Sequence, residues 1–516
     1  CLYGRTEAVQ VYRYNKGAGQ MLSIDEIRQF IQDDAASDKK MFAKKGQAYY
    51  EADHDIKQYR LFYYNADGNL VEDTTRSNIK ISHPFFTELV DQCTQYILSG
   101  KDGFIKSDIP DLQTELDSYF NENEDFTAEL SEVLTGCQTK GFEYMYAYKN
   151  AEGRLSFMCA DSIGVIEIRA KDTDDNTEYV IYWYIDRIEK WHKKIKRIQV
   201  WDKENTYFYV QDGEGKIERD ISEPINPKPH TLYKKGNDDK TYYDGFGFIP
   251  FFRLDNNKKL FSCLKIIKDL IDDYDLHSCS LSNNLVDFDT PIHVVKGFEG
   301  DNLDELQQNI KTKKIIGMES TDAGAGVDVK TVNIPYEARK IKLELDEKNI
   351  YRFGFGLNTA GLKDTAATTN IAIKAAYSLL DLKANKLIVR LKQFLRKLLK
   401  PVLTEINEIN GTDYQMKDVY FNFEPEVMSN AQENAQIALT EAQTRQIEIN
   451  IIMSLAQTLD DETELKLICE QLDIDYQNIK DKLPKNEEQK TLTAQNVLSG
   501  VVVDEQQTEG NLTGTA

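Results

Sequence analysis

The feature that most constrains this chain is the run around Gly354. Lys348-Asn-Ile-Tyr-Arg-Phe-Gly-Phe-Gly356 closes a charged helical segment on two glycines, a Thr/Ala/Asn-rich loop runs to Asn370, and a long helix begins at Ile371. Within it Ile373, Tyr377, Leu380, Ala384, Leu387, Leu391, Phe394 and Leu398 recur at alternating spacings of four and three. That spacing puts them on one helix face. At ~1.5 Å per residue, residues 371–400 make a rod of about 45 Å. Eight Lys/Arg, against Asp381 alone, flank the seam. Long amphipathic helices of this kind carry more apolar surface than one subunit can easily cover.

A chain of 516 residues is too long for one simple core, so two to four domains are expected. With 41% hydrophobic and 10% aromatic residues it can pack a globular body. No apolar run approaches the ~18 residues a bilayer span needs, Val497–Val503 being far too short. No signal-peptide pattern follows Cys1, and the lack of an initiator Met points to a start upstream or trimmed away. Seven scattered cysteines without a C-x-x-C predict reduced, buried thiols made in a cytoplasm. Neither a structural metal nor a cofactor is expected, since His277 and Cys279, two apart on a helix, face different ways. The net charge of −23 would repel a duplex at long range and argues against a protein that grips DNA, though not against one that surrounds it.

Residues 20–100 read as largely helical, with a capping box at Ser23-Ile-Asp-Glu26 and a second helix through Phe85, Leu89, Cys93 and Ile97. A third helical region spans roughly 110–135. From Tyr144 to Phe252 the texture becomes that of an antiparallel meander, with strands near 164–168, 178–185, 197–201 and 206–210. Helical periodicity returns over 260–289. An insert punctuated by Pro291 and Pro335 follows: strand 292–295, helix 302–310, strand 314–317, a Gly-rich tip at 323–326 and strand 327–334. At about 45 residues it is marginal as an independent core, and packing against copies of itself would stabilise it. Residues 420–424 read as a strand, 430–482 as two or three polar helices, and 484–516 as a mobile tail.

Phosphate-loop, dinucleotide-binding, zinc-protease and nucleophile-elbow motifs are missing from the sequence. The glycine clusters at 17–19 and 323–326 read as flexible loops. Asp272, Asp273 and Asp275, with Asp287 and Asp289, read as a solvated helix face; pairing as carboxylate catalysts or binding a divalent cation is the alternative. His277 and His293 read as packing or surface residues, and Trp183, Trp191 and Trp201 as members of the strand core.

Several phrases, in order, resemble the portal proteins of tailed bacteriophages, in particular those of long-tailed phages infecting Gram-positive and related hosts. They are Tyr49-Tyr-Glu-Ala-Asp-His-Asp-Ile56, Glu143-Tyr-Met-Tyr-Ala-Tyr148, Ile249-Pro-Phe-Phe-Arg-Leu-Asp-Asn-Asn257, Leu270-Ile-Asp-Asp-Tyr-Asp275 and Val294-Val-Lys-Gly-Phe-Glu-Gly300. Ile350-Tyr-Arg-Phe-Gly354 and Tyr377-Ser-Leu-Leu-Asp-Leu-Lys-Ala-Asn-Lys386 are the closest. The likeness covers roughly residues 40–470; the loop 357–370 and the first ~20 residues depart from it.

The resemblance implies an α+β fold of portal type. Its parts would be a wing of helices and antiparallel sheet (1–258 and 371–428, with the spine helix and a return strand), stem helices at 259–289 and 336–352, and a small α/β clip at 290–335. A tunnel loop at 353–370, a helical crown at 429–483 and a disordered tail at 484–516 complete it. It also implies a non-enzymatic homo-oligomeric ring, usually of twelve, at one capsid vertex of the virion, assembled in the host cytoplasm. Genome DNA would pass through it during packaging and ejection. Further partners implied are the terminase large subunit, a head-completion or adaptor protein, and the major capsid and scaffolding proteins, with no membrane. The tunnel loop would offer Asn358, Thr359, Lys363, Asp364, Thr365 and Thr368 to the channel. The clip would offer Lys296, Glu299, Asp301, Lys311, Lys313 and Asp322 to docking partners. Twelve copies at −23 sum to −276, which suits a conduit that lets DNA slide. The basic flank of 371–400 could pair with acidic helices of a neighbour or touch DNA. Two other readings stay open: a metal-dependent nuclease or hydrolase built on Asp272, Asp273 and Asp275, and a structural ring or adaptor that never conducts DNA.

Overall fold

The computed structural model describes residues 12–13, 21–74, 76–100, 103–169, 177–234, 241–243, 246–288, 292–296, 326–330, 335–358, 370–423, 425, 431–454, 461–471 and 476. The chain divides into two compact units, Cys1–Met428 and Ser429–Ala516. Helices α1 (Ile24–Ala35) and α2 (Asp38–Tyr50) open the first unit. The expected capping box at the start of α1 is present: Ser23 Oγ accepts from Glu26 N at 3.3 Å, and Ser23 N donates to the Glu26 carboxylate at 2.9 Å. Residues 51–84 are not helical as expected beyond one short turn; they contain the hairpin Phe62–Tyr64/Leu70–Glu72. Then come α3 (Phe85–Leu98), α4 (Pro110–Leu116) and α5 (Glu124–Lys140), the last started by Asn123, whose side chain accepts from Phe126 N at 3.0 Å.

The strand region forms two principal sheets rather than one meander. Strands Val165–Arg169, Thr177–Glu189, Lys193–Trp201, Asn205–Asp212 and Ile217–Arg219 run antiparallel in sequence order, and Tyr12–Arg13 adds to the edge in parallel. The two ends of the region leave that sheet and join each other. Phe142–Lys149 lies between Leu155–Ala160 and Phe251–Asp255 in a three-stranded sheet. Alternation of apolar residues shows that a strand exists but does not choose its neighbour. Lys40 of α2 ties helix to sheet: its fully buried ammonium donates to the carbonyls of Ser162 and Val165 and pairs with Asp34 at 3.1 Å. Burial pushes its pKa down to about 8, against the field of Asp34.

Helix α6 (Leu264–Phe288) leads to the strand Ile292–Lys296, which pairs antiparallel with Gly326–Lys330 before α7 (Tyr336–Gly354). The first and last strands of the insert are therefore bound to each other, Ile292 opposite Lys330; the helix and strand expected between them lie outside the described residues. Helix α8 runs from Asn370 to Asn410, 41 residues, ten beyond the expected end at 400. It continues through Pro401 because Leu398, Leu399, Val402 and Leu403 on either side are all buried, so packing outweighs the lost backbone hydrogen bond. The seam is buried as its spacing predicts from Leu380 to Leu398, and Ile388, Leu395 and Leu399 widen it. These residues join α3, α5 and the three-stranded sheet in the largest core. A second core lies between α1 and the larger sheet; a third joins Tyr49, Phe86 and Leu89 to Leu264, Ile271, Ile350 and Tyr351.

In the second unit α9 (Ala431–Ser454) and α10 (Asp461–Gln471) are two polar helices, as the composition predicts. The first exposes Leu439, Ile447 and Ile451; Cys469 of the second is buried. Cys93, Cys137 and Cys279 are also buried, and no disulfide occurs among the described residues.

Candidate functional site

Helix α3 organises the place where α7 ends and α8 begins. Tyr351 of α7 donates its hydroxyl to Glu88 at 2.6 Å, and one turn later the chain reverses. The left-handed cap is Phe355, at φ 58°, rather than either glycine expected to relax the helix end. The glycines serve close approach instead. A Cβ on Gly354 would lie 2.5 Å from Leu89 Cδ1, and one on Gly356 2.0 Å from Leu89 Cδ2. With the backbone thus pressed on α3, the Gln92 amide clamps Leu357 from both sides: its Nε2 donates to Leu357 O at 3.0 Å, and its Oε1 accepts from Leu357 N at 2.9 Å. Asn358 donates to Glu347 at 3.4 Å.

The far side of the loop returns to the same helix. Lys383 of α8 donates to Leu89 O at 2.9 Å, and Tyr96 of α3 donates its hydroxyl to Asp381. Leu357, just before residues 359–369, is thereby fixed to Gln92, while α8 meets Leu89 and Tyr96 only at Lys383 and Asp381, about three turns beyond its start. Asn358 is the one proposed channel residue that the described residues include. Thr359, Lys363, Asp364, Thr365 and Thr368 lie outside them, as do the clip residues Glu299, Asp301, Lys311, Lys313 and Asp322. Lys296 is placed as a strand residue opposite Gly326, its side chain undescribed.

The acidic group on α6 is not the solvated face that its periodicity suggests. Asp275 is fully buried; His54 Nδ1 lies 2.6 Å from one carboxylate oxygen and His83 Nδ1 2.7 Å from the other, with His83 N donating to the latter at 3.0 Å. Tyr49 stacks on the His54 ring at 4.4 Å. Burial alone would raise the Asp275 pKa, but the hydrogen bonds from His54 and His83 outweigh it and hold the carboxyl below its usual range. Asp272 accepts from Tyr49 and, at 2.6 Å, from Lys268; Asp273 pairs with Lys342 of α7. Asp287 accepts from Ser77 N at 3.1 Å. Each carboxylate thus serves a different contact, and the result is a joint between α6 and the segments flanking α2 and α3. Among the described residues no group of three or more His, Cys, Asp or Glu could hold a metal ion. His277 is a surface residue, 3.4 Å from Asp273.

Sequence reading missed His54, His83 and Gln92, because their partners lie 221, 192 and 265 residues away. It also misplaced Trp191, which stands on a hairpin tip rather than in the core. On α8, Lys392 and Arg396 lie over Phe423 and Phe421, while Lys386, Lys397 and Lys400 are exposed; none of these five forms an ion pair among the described residues.

No described helix is long and apolar enough to cross a membrane. Two curated relatives are similar along much of the chain. The portal protein of Bacillus phage SPP1 is 28% identical over 344 residues, 66% of this chain and 65% of the phage protein, so the alignment spans just under two thirds of that relative. The portal protein of Clostridium phage phiCD119 is 25% identical over 432 residues, 81% of this chain and 89% of its own length. Among solved structures, a chain of the neck of a native GTA particle, computed with C12 symmetry, aligns over 75% of this chain and 89% of its own. Its TM-score of 0.36 at 14% identity is too loose to carry an argument. Residues 32–477, most of the chain, match the family described as phage portal protein, SPP1 Gp6-like, and the chain belongs to that family.

Proposed function

We propose that this chain assembles into a closed ring that conducts duplex DNA at one vertex of a phage capsid, without enzymatic activity of its own. The observation that carries the reading, beside family membership, is the apolar surface that α6 and α7 leave exposed among the described residues. Leu285 and Val286 of α6 and Tyr336, Ile341, Leu345 and Phe353 of α7 are between 46% and 63% exposed in the single chain. Clusters of this kind mark interaction surfaces. Head-to-tail contacts between identical copies close into rings when the rotation permits. A net charge of −23 per copy disfavours tight retention of DNA, as a conduit requires. In this reading the insert bounded by Pro291 and Pro335 is the clip that receives the motor and the completion proteins. Residues 353–370, whose start is held against α3 through Leu357, are the tunnel loop, with Lys363 as the group that meets the phosphate backbone.

Electron micrographs of the purified chain should show rings with a hole wide enough for a duplex. A monodisperse monomer at high concentration in assembly-promoting salt would defeat the reading, and a pore narrower than a duplex would favour a structural adaptor. Lys363→Glu should then alter packaging rate, packaged length or DNA retention while ring assembly and motor binding stay unchanged. Unchanged packaging and retention would remove Lys363 from the role.

A further inference from the structure

The hairpin Thr177–Glu189/Lys193–Trp201 is longer than the sheet that carries it. Its neighbour Val165–Arg169 covers it only as far as Tyr182, and Asn205–Asp212 only as far as Ile195. All residues from Ile185 to Lys194 are exposed, Trp191 at 96% and Ile188 at 62%. The turn places two consecutive residues in the left-handed region, Trp191 at φ 66° and His192 at φ 56°. Side chains other than glycine rarely adopt that conformation, and such outliers point toward function. Among the described residues of one subunit nothing covers the indole.

The tip also opposes the charge of its own chain. Residues 190–197 hold five Lys/Arg and no acid. Lys193 is met by Asp212 at 2.6 Å; Lys190 and Lys194 have no ion-pair partner among the described residues. A matching surface lies elsewhere on the molecule. Residues 107–139 hold nine Asp/Glu and no Lys/Arg, and α5 exposes Glu124, Asp125 and Glu132. The three-stranded sheet turns Met145 and Ala147 to α5, and its other face presents Met158, 40% exposed, with Tyr146 donating to its sulfur at 3.2 Å. Tyr148 stands next to it within the field of Glu129 and Asp125; burial first, and then these two carboxylates, raise its hydroxyl pKa. This is a methionine–tyrosine seat with an acidic rim, suited to an indole flanked by ammonium groups. No ion pair joins tip and rim within one subunit among the described residues.

We propose that the Trp191 hairpin of one subunit docks on a second copy of this chain, at the Tyr148/Met158 seat rimmed by Asp125 and Glu129, with Glu132 one turn further along α5. Tip and seat are different surfaces, so each copy gives one and receives one, the head-to-tail arrangement that a ring needs. The inference deepens the ring reading and rests on it. Charge favours this occupant over a duplex, which the whole chain repels.

The test mixes isotopically light and heavy chains, assembles them, and applies a zero-length carbodiimide cross-linker. Lys190 or Lys194 should be joined to Glu124, Asp125 or Glu132 in mixed-isotope pairs. Combining Trp191→Ala with Lys190→Glu and Lys194→Glu should raise the assembly midpoint concentration roughly tenfold or more. The monomer's melting curve should not change, since the tip lies outside every core. With Trp191 kept, adding Asp125→Lys and Glu132→Lys to Lys190→Glu and Lys194→Glu should restore most of the loss. Cross-links confined to same-isotope pairs, or an unchanged midpoint in the tip variant, overturn the docking. Tip variants that form normal rings but lose duplex retention would assign the tip to nucleic acid instead. In both cases the ring reading survives, whereas a wild-type chain that stays monomeric removes both.

Discussion

Helices α7 and α8 are both long and rich in charge, and they meet opposite fates. In α8 the seam residues from Leu380 to Ile406 are covered by α3, α5 and the three-stranded sheet of the same chain, and only Leu382 and Val389, on the opposite face, stay exposed in that span. In α7 only Asp346, Ile350 and Tyr351 are buried, while Tyr336, Ile341, Leu345 and Phe353 face outward. The first helix is a structural element of the subunit. The second carries exposed apolar side chains spread around its circumference, without one seam. Where apolar periodicity is strong, as in α8, it identifies a face that the same chain buries; where it is absent, as in α7, sequence gives no face to cover.

The contrast can be broken most severely from the α8 side. Phe394→Ala empties a buried site in the largest core and should cost about 3–5 kcal/mol, read by chemical denaturation of the subunit. A loss below ~1 kcal/mol would mean that α8 is not held by that core. Next is the joint through which α6 is tied to the α2 and α3 segments. Asp275→Asn removes the buried charge that His54 and His83 share and should cost on the order of 3 kcal/mol.

Acid should act on the same joint. Because its folded pKa is depressed, the stability that Asp275 contributes is complete above its unfolded value of about 3.9 and is lost as pH falls through the lower folded value. Wild type should therefore lose more stability than Asp275→Asn between about pH 5 and about pH 3. Equal acid slopes in the two proteins would show that Asp275 is not a determinant. The smallest effect on the subunit belongs to α7. Leu345→Asp should change its stability by no more than ~0.5 kcal/mol, since the side chain is exposed, yet should abolish higher assembly in sedimentation. Assembly at wild-type concentrations would make the exposed apolar side chains of α7 an ordinary solvated surface.

Much of the fold was legible before any coordinates. The capping box at Ser23, the seam from Leu380 to Leu398, the strands between 165 and 212 and the end of α7 near Gly354 all follow from patterns a few residues long. The errors share a cause as well. Asp275 sits on the polar side of its helix by periodicity, and only two histidines brought in from distant segments make it a buried joint. Trp191 lies in a strand-rich region by composition, but the hairpin outruns its neighbours and leaves the indole in solvent.

The sequence by itself determined the local elements, the acidic balance of the chain and the family phrases, because propensity, capping and periodicity act within one or two turns. Only the tertiary structure decided which strands pair, that Gly354 and Gly356 serve the approach of α3 rather than a flexible cap, and that Gln92 of α3 holds Leu357. Strand choice in the three-stranded sheet rests on partners as far as about a hundred positions apart, such as Tyr146 with Phe251, and the other two on contacts more than 200 apart, such as Gln92 with Leu357. Many folds could satisfy the same local patterns, and close packing of distant side chains selects among them.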